Sequence, residues 1–339
     1  MKQVAVVILN YNGREFLEKF LPVVLRYSRD VAQVWVADNH SSDGSVEMLL
    51  EKFPDVQLIV NPVNGGFATG YNMALRQIPA DYYVLLNSDI EVTPNWIEPI
   101  IDLMENDAAV IACQPKIRSY HDKPKFEYAG ASGGYIDKYG YPFCRGRIFQ
   151  SLETDGGQYD QATEVFWATG ACLFVRSKQY HELGGLDDDF FAHMEEIDFC
   201  WRAKNLGYKV MVEPKSTVFH IGGGTLPKSS ARKTYLNFRN NFVLLYKNLP
   251  QKRLLKVFIA RLFLDGVAAC KFLAQGGLGD FFAVIKAHLY FYRHFNALHK
   301  KRKSLSQKQV SYMYQGNIAF DHYLFRRKKF SELDQTKIS

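Results

Sequence analysis

Only five cysteines occur in 339 residues: Cys113, Cys144, Cys172, Cys200 and Cys270. They are odd in number, scattered and never in a C-x-x-C pair. That excludes a disulfide framework and a cysteine zinc site, and it fits a reducing cytosol. No stretch offers about 18 uninterrupted apolar residues, so no membrane-spanning helix is expected. A signal-peptide core is also missing, because Met1-Lys2-Gln3 passes straight into Val4–Leu9, a short run that ends on polar Asn10. No internal repeat is visible.

What is present is enough for a real core: 47% of residues are hydrophobic and 23% charged. That length and composition suit one large domain or two ordinary ones and exclude a disordered chain. The net charge of +7 is unevenly spread. Residues 1–250 hold 25 basic and 30 acidic side chains, a net of −5, while residues 251–339 hold 17 and 5, a net of +12. A slightly acidic body, 1–250, is therefore followed by a basic extension, 251–339.

Two periods alternate along the first hundred residues. Val4–Leu9, Val34–Ala37, Val56–Val60 and Tyr82–Leu86 read as buried strands, and Glu15–Tyr27, Ser45–Phe53 and Phe67–Gln77 repeat apolar residues at helical spacing. Thr93-Pro94 reads as an N-cap followed by a first-turn proline. The alternation predicts an α/β fold with a mainly parallel sheet flanked by helices. The Gly-rich stretch 115–165 shows no clear period. Val165–Val175 then reads as a strand, and Ser177–Leu183 and His193–Leu206 as helices.

In such sheets ligands bind beyond the carboxyl ends of the strands. Those positions hold Asp38–Ser45, Asn61–Asn72 and Asn87-Ser88-Asp89. Any one of these suits a turn or a helix cap; three in succession point to a polar ligand site. Asp38 can accept an imide N–H of a pyrimidine. Gly65 and Gly66 allow close backbone approach at a helix N-terminus. Asp89, with Asn87 nearby, can hold a divalent cation against phosphates.

Together with Val7–Asn12 and His193–Arg202, these segments resemble the inverting family 2 glycosyltransferases, most of all their rhamnosyltransferase-like branch. The resemblance covers about residues 3–248. It implies a GT-A fold, a nucleotide-sugar donor such as a dTDP- or UDP-sugar, and a Mg2+ or Mn2+ ion. Carried over, Asp38 contacts the base, Asn10, Asn64, Gly65, Asn72 and Asn87 shape the donor pocket, and Asp89 is the metal aspartate. Where many relatives have two aspartates around one residue, this chain has Asn87-Ser88-Asp89 and so one carboxylate.

An inverting transfer needs one base to take the acceptor hydroxyl's proton. The family's acidic pair matches Glu195-Glu196, with Glu196 as the base and Glu195 on the acceptor side. The common residue at the second position is Asp, and Glu is one methylene longer. Asp198 and Arg202 have the spacing of a solvated i,i+4 pair. His220, followed by Gly222-Gly223-Gly224, suits a metal or diphosphate contact. Lys228, Arg232, Lys233 and Arg239 can neutralise the leaving diphosphate, and Arg239-Asn240-Asn241 matches a motif of the branch. Trp167–Ala171, with Trp167 and Gly170, looks like the acceptor-side wall, although Trp167 equally suits a core.

Residues 254–274 and 281–292 are apolar helical stretches, with basic runs at Lys300–Lys303 and Arg326–Lys329. Such helices suit an anionic cytoplasmic membrane surface, or a helical appendage on the body. Nothing upstream reads nucleic-acid bases. The expected activity is transfer of a sugar, rhamnose from dTDP-rhamnose, to a saccharide or lipid-linked saccharide, by an enzyme peripheral on the inner membrane. No Gln-x-x-Arg-Trp motif of a processive polymerase occurs. The alternatives are a sugar-phosphate nucleotidyltransferase, whose lysine-bearing glycine loop is missing after the first strand, or an inactive nucleotide-sugar-binding module.

Overall fold

The computed structural model describes residues 2–222 and 230–339. Its first half follows the alternation read from the sequence: β1 (Val4–Asn10), α1 (Arg14–Ser28), β2 (Gln33–Asp38), α2 (Ser45–Lys52), β3 (Gln57–Val60), α3 (Gly66–Leu75) and β4 (Tyr82–Asn87). β1 lies in parallel between β2 and β4. The strand period of two sends alternate side chains to opposite faces. Ala5, Val7, Tyr83 and Leu85 meet Tyr71 of α3 in one core. Val4, Val6, Ile8 and Val84 meet Leu17 and Leu21 of α1 in the other.

The sheet is extended by β5 (Ile90–Val92), then α4 (Glu98–Asn106) and β6 (Val110–Ser119). Thr93-Pro94 does not start α4. The Thr93 hydroxyl instead donates to the Thr217 carbonyl across the sheet (2.7 Å), and the helix begins at Glu98. The aperiodic stretch holds short strands: β7 (Gly134–Asp137), β8 (Pro142–Cys144), β9 (Arg147–Ile148), β10 (Ser151–Leu152) and β11 (Thr163–Glu164). β12 spans Cys172–Arg176, so only the second half of Val165–Val175 is strand. α5 (Ser177–Glu182), α6 (Glu195–Asn205) and β13 (Lys209–His220) follow. β12 runs antiparallel between β4 and β6, and β13 pairs with β6, β5 and β11.

α7 (Ala231–Asn248), α8 (Gln251–Ala274), α9 (Leu278–Arg293), α10 (Phe295–Lys303), β14 (Met313–Tyr314) and α11 (Ile318–Tyr323) complete the chain. Residues 251–339 share the core of residues 1–250. Phe242 of α7 packs on Phe258 of α8 and Phe291 of α9, with ring centroids 4.4 and 4.9 Å apart. β14 adds a parallel strand to β7, so the second sheet runs β10-β9-β8-β7-β14. Phe330 sits 4.9 Å from the Tyr135 ring, and the Ile318 amide donates to Asp137 (3.0 Å).

α8 has its polarity reversed. Arg261 and Asp265 point inward and are fully buried, bound to each other at 3.0 Å and to Tyr141 and His288, while leucine, isoleucine and phenylalanine face out. Removing one partner of a buried ion pair strands the other. Asp265→Ala should therefore cost about 3–5 kcal/mol in urea unfolding. Leu255→Ser, on the outer face of the same helix, should stay within about 0.5 kcal/mol.

Candidate active site

The strand register brings the polar ends together: Asn10 is the partner of Asp38, Asp38 of Val60, and Leu9 of Asn87. Asn10 Nδ2 donates to Asp38 (2.8 Å), and the Ser41 amide donates to the other Asp38 oxygen (2.8 Å). Asp38 is fully enclosed, and a carboxylate with two donors still has acceptor sites left. Asn39 Nδ2 donates to Asn64 (2.9 Å), and Asn64 accepts the Gly66 amide as well (2.9 Å). Asn39 and Asn61 also belong to this network, although neither stood out in the sequence. Gly66 has φ +77°, and a Cβ there would lie 2.4 Å from the Phe191 carbonyl. Its neighbour Gly65 meets only the Thr69 side chain. Asn72 accepts from Tyr180 (2.7 Å) and donates to Leu186 (2.7 Å) and Asp188 (2.8 Å), so its amide is spent on tying α3 to the 186–188 turn.

A second corner forms where β13 ends beside β4 and β5. His220 Nε2 lies 3.1 Å from Asp89 Oδ1 and 3.4 Å from the Asn87 amide. On its other side Nδ1 lies 3.2 Å from Glu127, a buried carboxylate in the aperiodic stretch that belongs to no motif. The Gly222 amide donates to Asp89 (3.3 Å), and a Cβ at Gly222 would strike Glu127. Burial opposes a charge on His220, but Glu127 and Asp89 outweigh it and lift its pKa to about 10. Among the described residues no three-carboxylate or histidine cage exists. One carboxylate and one imidazole that gives up its Nε2 proton to the metal, with a second carboxylate behind the ring, still fit a divalent cation that takes its other ligands from phosphate and water. Asp89 and His220 would hold it. Gly223, Gly224 and Lys228 lie outside the described residues.

The third corner is the approach to α6. Phe191, His193 and Met194 have φ of 60°, 72° and 75°, a cluster of strained backbone of the kind held at functional sites. Asn240 clamps it, donating through one amide to the carbonyls of Phe190, Ala192 and His193 (3.0, 2.9 and 2.7 Å). Arg239 donates to Asp189 and Phe190 carbonyls (2.8 and 2.9 Å), so its guanidinium braces this loop. Glu195 is buried and Glu196 half-buried, and each has one carboxyl oxygen without a partner. Burial lifts Glu196 to about 7, against amides that include that of Gly170. Burial and the adjacent Glu196 charge push Glu195 well above the carboxylate range. A Cβ at Gly170 would lie 3.7 Å from that of Glu196 and 3.0 Å from Phe67.

Two expectations change. Trp167 is no wall for a sugar: it is buried, its N–H donates to the Tyr135 carbonyl (2.8 Å), and its ring packs directly on Gly134. Asp198 and Arg202 form their pair (2.8 Å) but inside the core, not in solvent.

A mainly parallel nucleotide-type sheet with an Asp–His corner and a raised-pKa carboxylate beyond its strand ends defines a GT-A glycosyltransferase. Residues 5–170 match the Glycosyl transferase family 2 model and form a family 2 glycosyltransferase domain. It is 23% identical over 255 residues to N-acetylglucosaminyl-diphospho-decaprenol L-rhamnosyltransferase of Mycobacterium tuberculosis, covering 71% of this chain and 83% of that protein. Identity to the dTDP-rhamnosyl transferase RfbF of Shigella flexneri is 24%, covering 71% and 79%. Among solved structures, S. aureus TarS 1-349 in complex with UDP-GlcNAc aligns with a TM-score of 0.56 at 14% identity, covering 85% and 79%. GalNAc-T7 with UDP, GalNAc and Mn2+ aligns at 0.58 and 16%, covering 74% and 49%.

Glu196→Gln should lower turnover by about 100-fold or more while leaving donor binding in place. In the wild type the base works only when deprotonated, so kcat/KM should rise with pH and level off above about 7. Near-normal turnover of Glu196→Gln would remove the assignment. Asn240→Ala leaves the Ala192 and His193 carbonyls without their donor, while Phe190 keeps Arg239, and should cost about 2–3 kcal/mol, with kcat falling more than KM rises.

Proposed function

We propose that the protein transfers rhamnose from dTDP-rhamnose to a saccharide on a lipid carrier, with inversion at the anomeric carbon. The sugar and the carrier rest on the rhamnosyltransferase relatives. The mechanism rests on one observation: a single half-buried carboxylate, Glu196, with a free oxygen and a pKa near 7. As the acceptor oxygen attacks the anomeric carbon, its proton passes to Glu196. The bond from that carbon to the diphosphate oxygen breaks, and the electron pair leaves with the nucleotide. One displacement with one base inverts the configuration. Glu195, held protonated, donates to the acceptor and adds no competing charge. Gly170 leaves room for the sugar beside Glu196.

On the donor side, Asp38 accepts the pyrimidine imide through its remaining lone pairs, and the Asn39–Asn64–Gly66 network fixes the loop around the nucleoside. Asp89 and His220 would hold Mg2+ or Mn2+, which would neutralise charge on the diphosphate. Arg232 and Lys233 at the start of α7 add positive charge, and burial, with the Lys233 charge second, holds His193 down at about 4. No helix among the described residues is long and apolar enough to cross a membrane, and the enzyme meets its acceptor as a peripheral protein at the cytoplasmic face.

A thermal-shift screen of dTDP-, UDP- and GDP-sugars with Mg2+ or Mn2+ tests this reading. Saturating dTDP-rhamnose at about 100 times its Kd should add about 2.7 kcal/mol of stability, and GDP-sugars should add little. A GDP preference would overturn the pyrimidine role of Asp38.

A further inference from the structure

We infer that the outer face of the α8–α9 hairpin is a docking surface for an anionic lipid bilayer. The inference rests on the lipid-linked acceptor only for its purpose, and its geometry stands alone. On α8, Leu255, Ile259 and Phe263 are 73%, 60% and 70% exposed, and Leu262 and Val267 lie on the same side. On α9, Leu278, Phe282, Ile285, Leu289 and Tyr292 repeat at helical spacing and are all exposed. The two helices pack against each other, with Val257, Arg261, Asp265 and Ala269 of α8 and Ala283, Ala287 and Phe291 of α9 turned inward. The inward placement of the charged pair excludes a solvated helix whose apolar face was meant for the core. A continuous apolar surface of this kind is far more than scattered exposed leucines.

Charge identifies the occupant. Lys252, Lys256 and Lys271 on α8 and Lys286 and Arg293 on α9 are exposed around the apolar stripe. The two acids of the hairpin are turned to internal use: Asp265 binds Arg261 and Asp280 accepts from Thr234 (2.6 Å). Beside the C-terminal turn of α8, Lys271 lies 4.3 Å from the Tyr323 ring. There exposed Leu324 and Phe325 precede the basic run Arg326–Lys329. A second copy would set these lysines and arginines against the same cations across this face. Anionic headgroups complement it, and apolar side chains rimmed by lysine and arginine suit the headgroup–acyl boundary.

The surface is also joined to the reaction site. Tyr290 of α9 lies under the Arg239 guanidinium at 5.1 Å, and Arg239 braces the loop leading to Glu196. Lys301 of α10 binds Asp187 (2.7 Å) and Asp189 (2.6 Å) on that loop.

The test uses the full chain, because deleting residues 251–339 would strip the core. Wild type and the double variant Ile259→Glu/Phe263→Glu are floated with vesicles of equal parts phosphatidylglycerol and phosphatidylcholine. Light scattering reports mass in solution, and thermal stability and the donor-induced shift confirm folding. Wild type should float, the variant should float about tenfold less, and pure phosphatidylcholine should recruit little of either. Transfer to a soluble acceptor analogue should be unchanged in the variant, while transfer to a lipid-linked acceptor falls. Equal flotation of the two proteins, failure of the wild type to float, or a wild-type dimer that the variant converts to monomer would each overturn the surface. A protein that floats but does not use dTDP-rhamnose would overturn the substrate and leave the surface standing.

Discussion

A carboxylate sealed from water must be matched by cations and donors, and at Asp198 that requirement gathers four parts of the chain around one point. Asp198 is completely buried in α6, three residues after Glu195. It accepts from Arg202 (2.8 Å), Lys247 (2.9 Å) and Asn248 (2.9 Å). Arg202 also donates to the Gly185 carbonyl (2.7 Å), and Lys247 reaches Asp187, which binds Lys301 of α10. Burial alone would raise Asp198; Lys247 and then Arg202 hold it below the usual carboxylate range. The position of α6, and with it of Glu196, is thus set by α7, α10 and the 183–189 turn at once. Buried ion pairs are poor sources of net stability but punish any arrangement that separates them. That makes the hub a device of placement.

Three carboxylates within four residues meet three different fates for this reason. Lys247 and Arg202 draw Asp198 below the usual carboxylate range, burial and then the Glu196 charge push Glu195 well above it, and Glu196 sits between them near 7. Separating acid and base behaviour by environment is how neighbouring identical groups take separate roles. The strain at Phe191, His193 and Met194 belongs to the same arrangement. Those backbone angles present α6 from the correct side of the cleft, and the Asn240 amide with the Arg239 guanidinium keeps them in place.

Much of this was legible in the sequence. β1 to β4 match the β-branched runs to within a residue or two, because parallel strands buried on both faces leave an unbroken apolar signature. The polar residues after them were legible for the converse reason, since nothing apolar belongs at a sheet edge that faces a ligand. The second sheet was not legible. Its strands are two to four residues long and one of its five comes from Met313–Tyr314, so no local window carries a period. Glu127 had no signal either: a lone acid in an aperiodic stretch becomes meaningful only when β13 delivers His220 beside it. Trp167 and Thr93 misled because an aromatic near a site and a Thr-Pro pair each have two common uses, and tertiary partners chose between them.

The basic extension shows why charge has to be read together with direction. A net of +12 on helices with apolar residues suits either solvated helices laid on the body or helices laid on lipid, and composition does not separate the two. The orientation of α8 does. Solvation would place Arg261 and Asp265 outside and Phe263 inside, which is the cheaper arrangement for a helix facing water. The fold does the reverse, sealing the ion pair against Tyr141 and His288 while leaving Leu255, Ile259 and Phe263 uncovered. Such a helix is stable because its buried charges are fully partnered, and its outer face is left apolar. The same elements that seat the hairpin on α7 hold the loop leading to Glu196. The helices that carry the exposed apolar face and the loop before α6 are therefore placed by one packing arrangement.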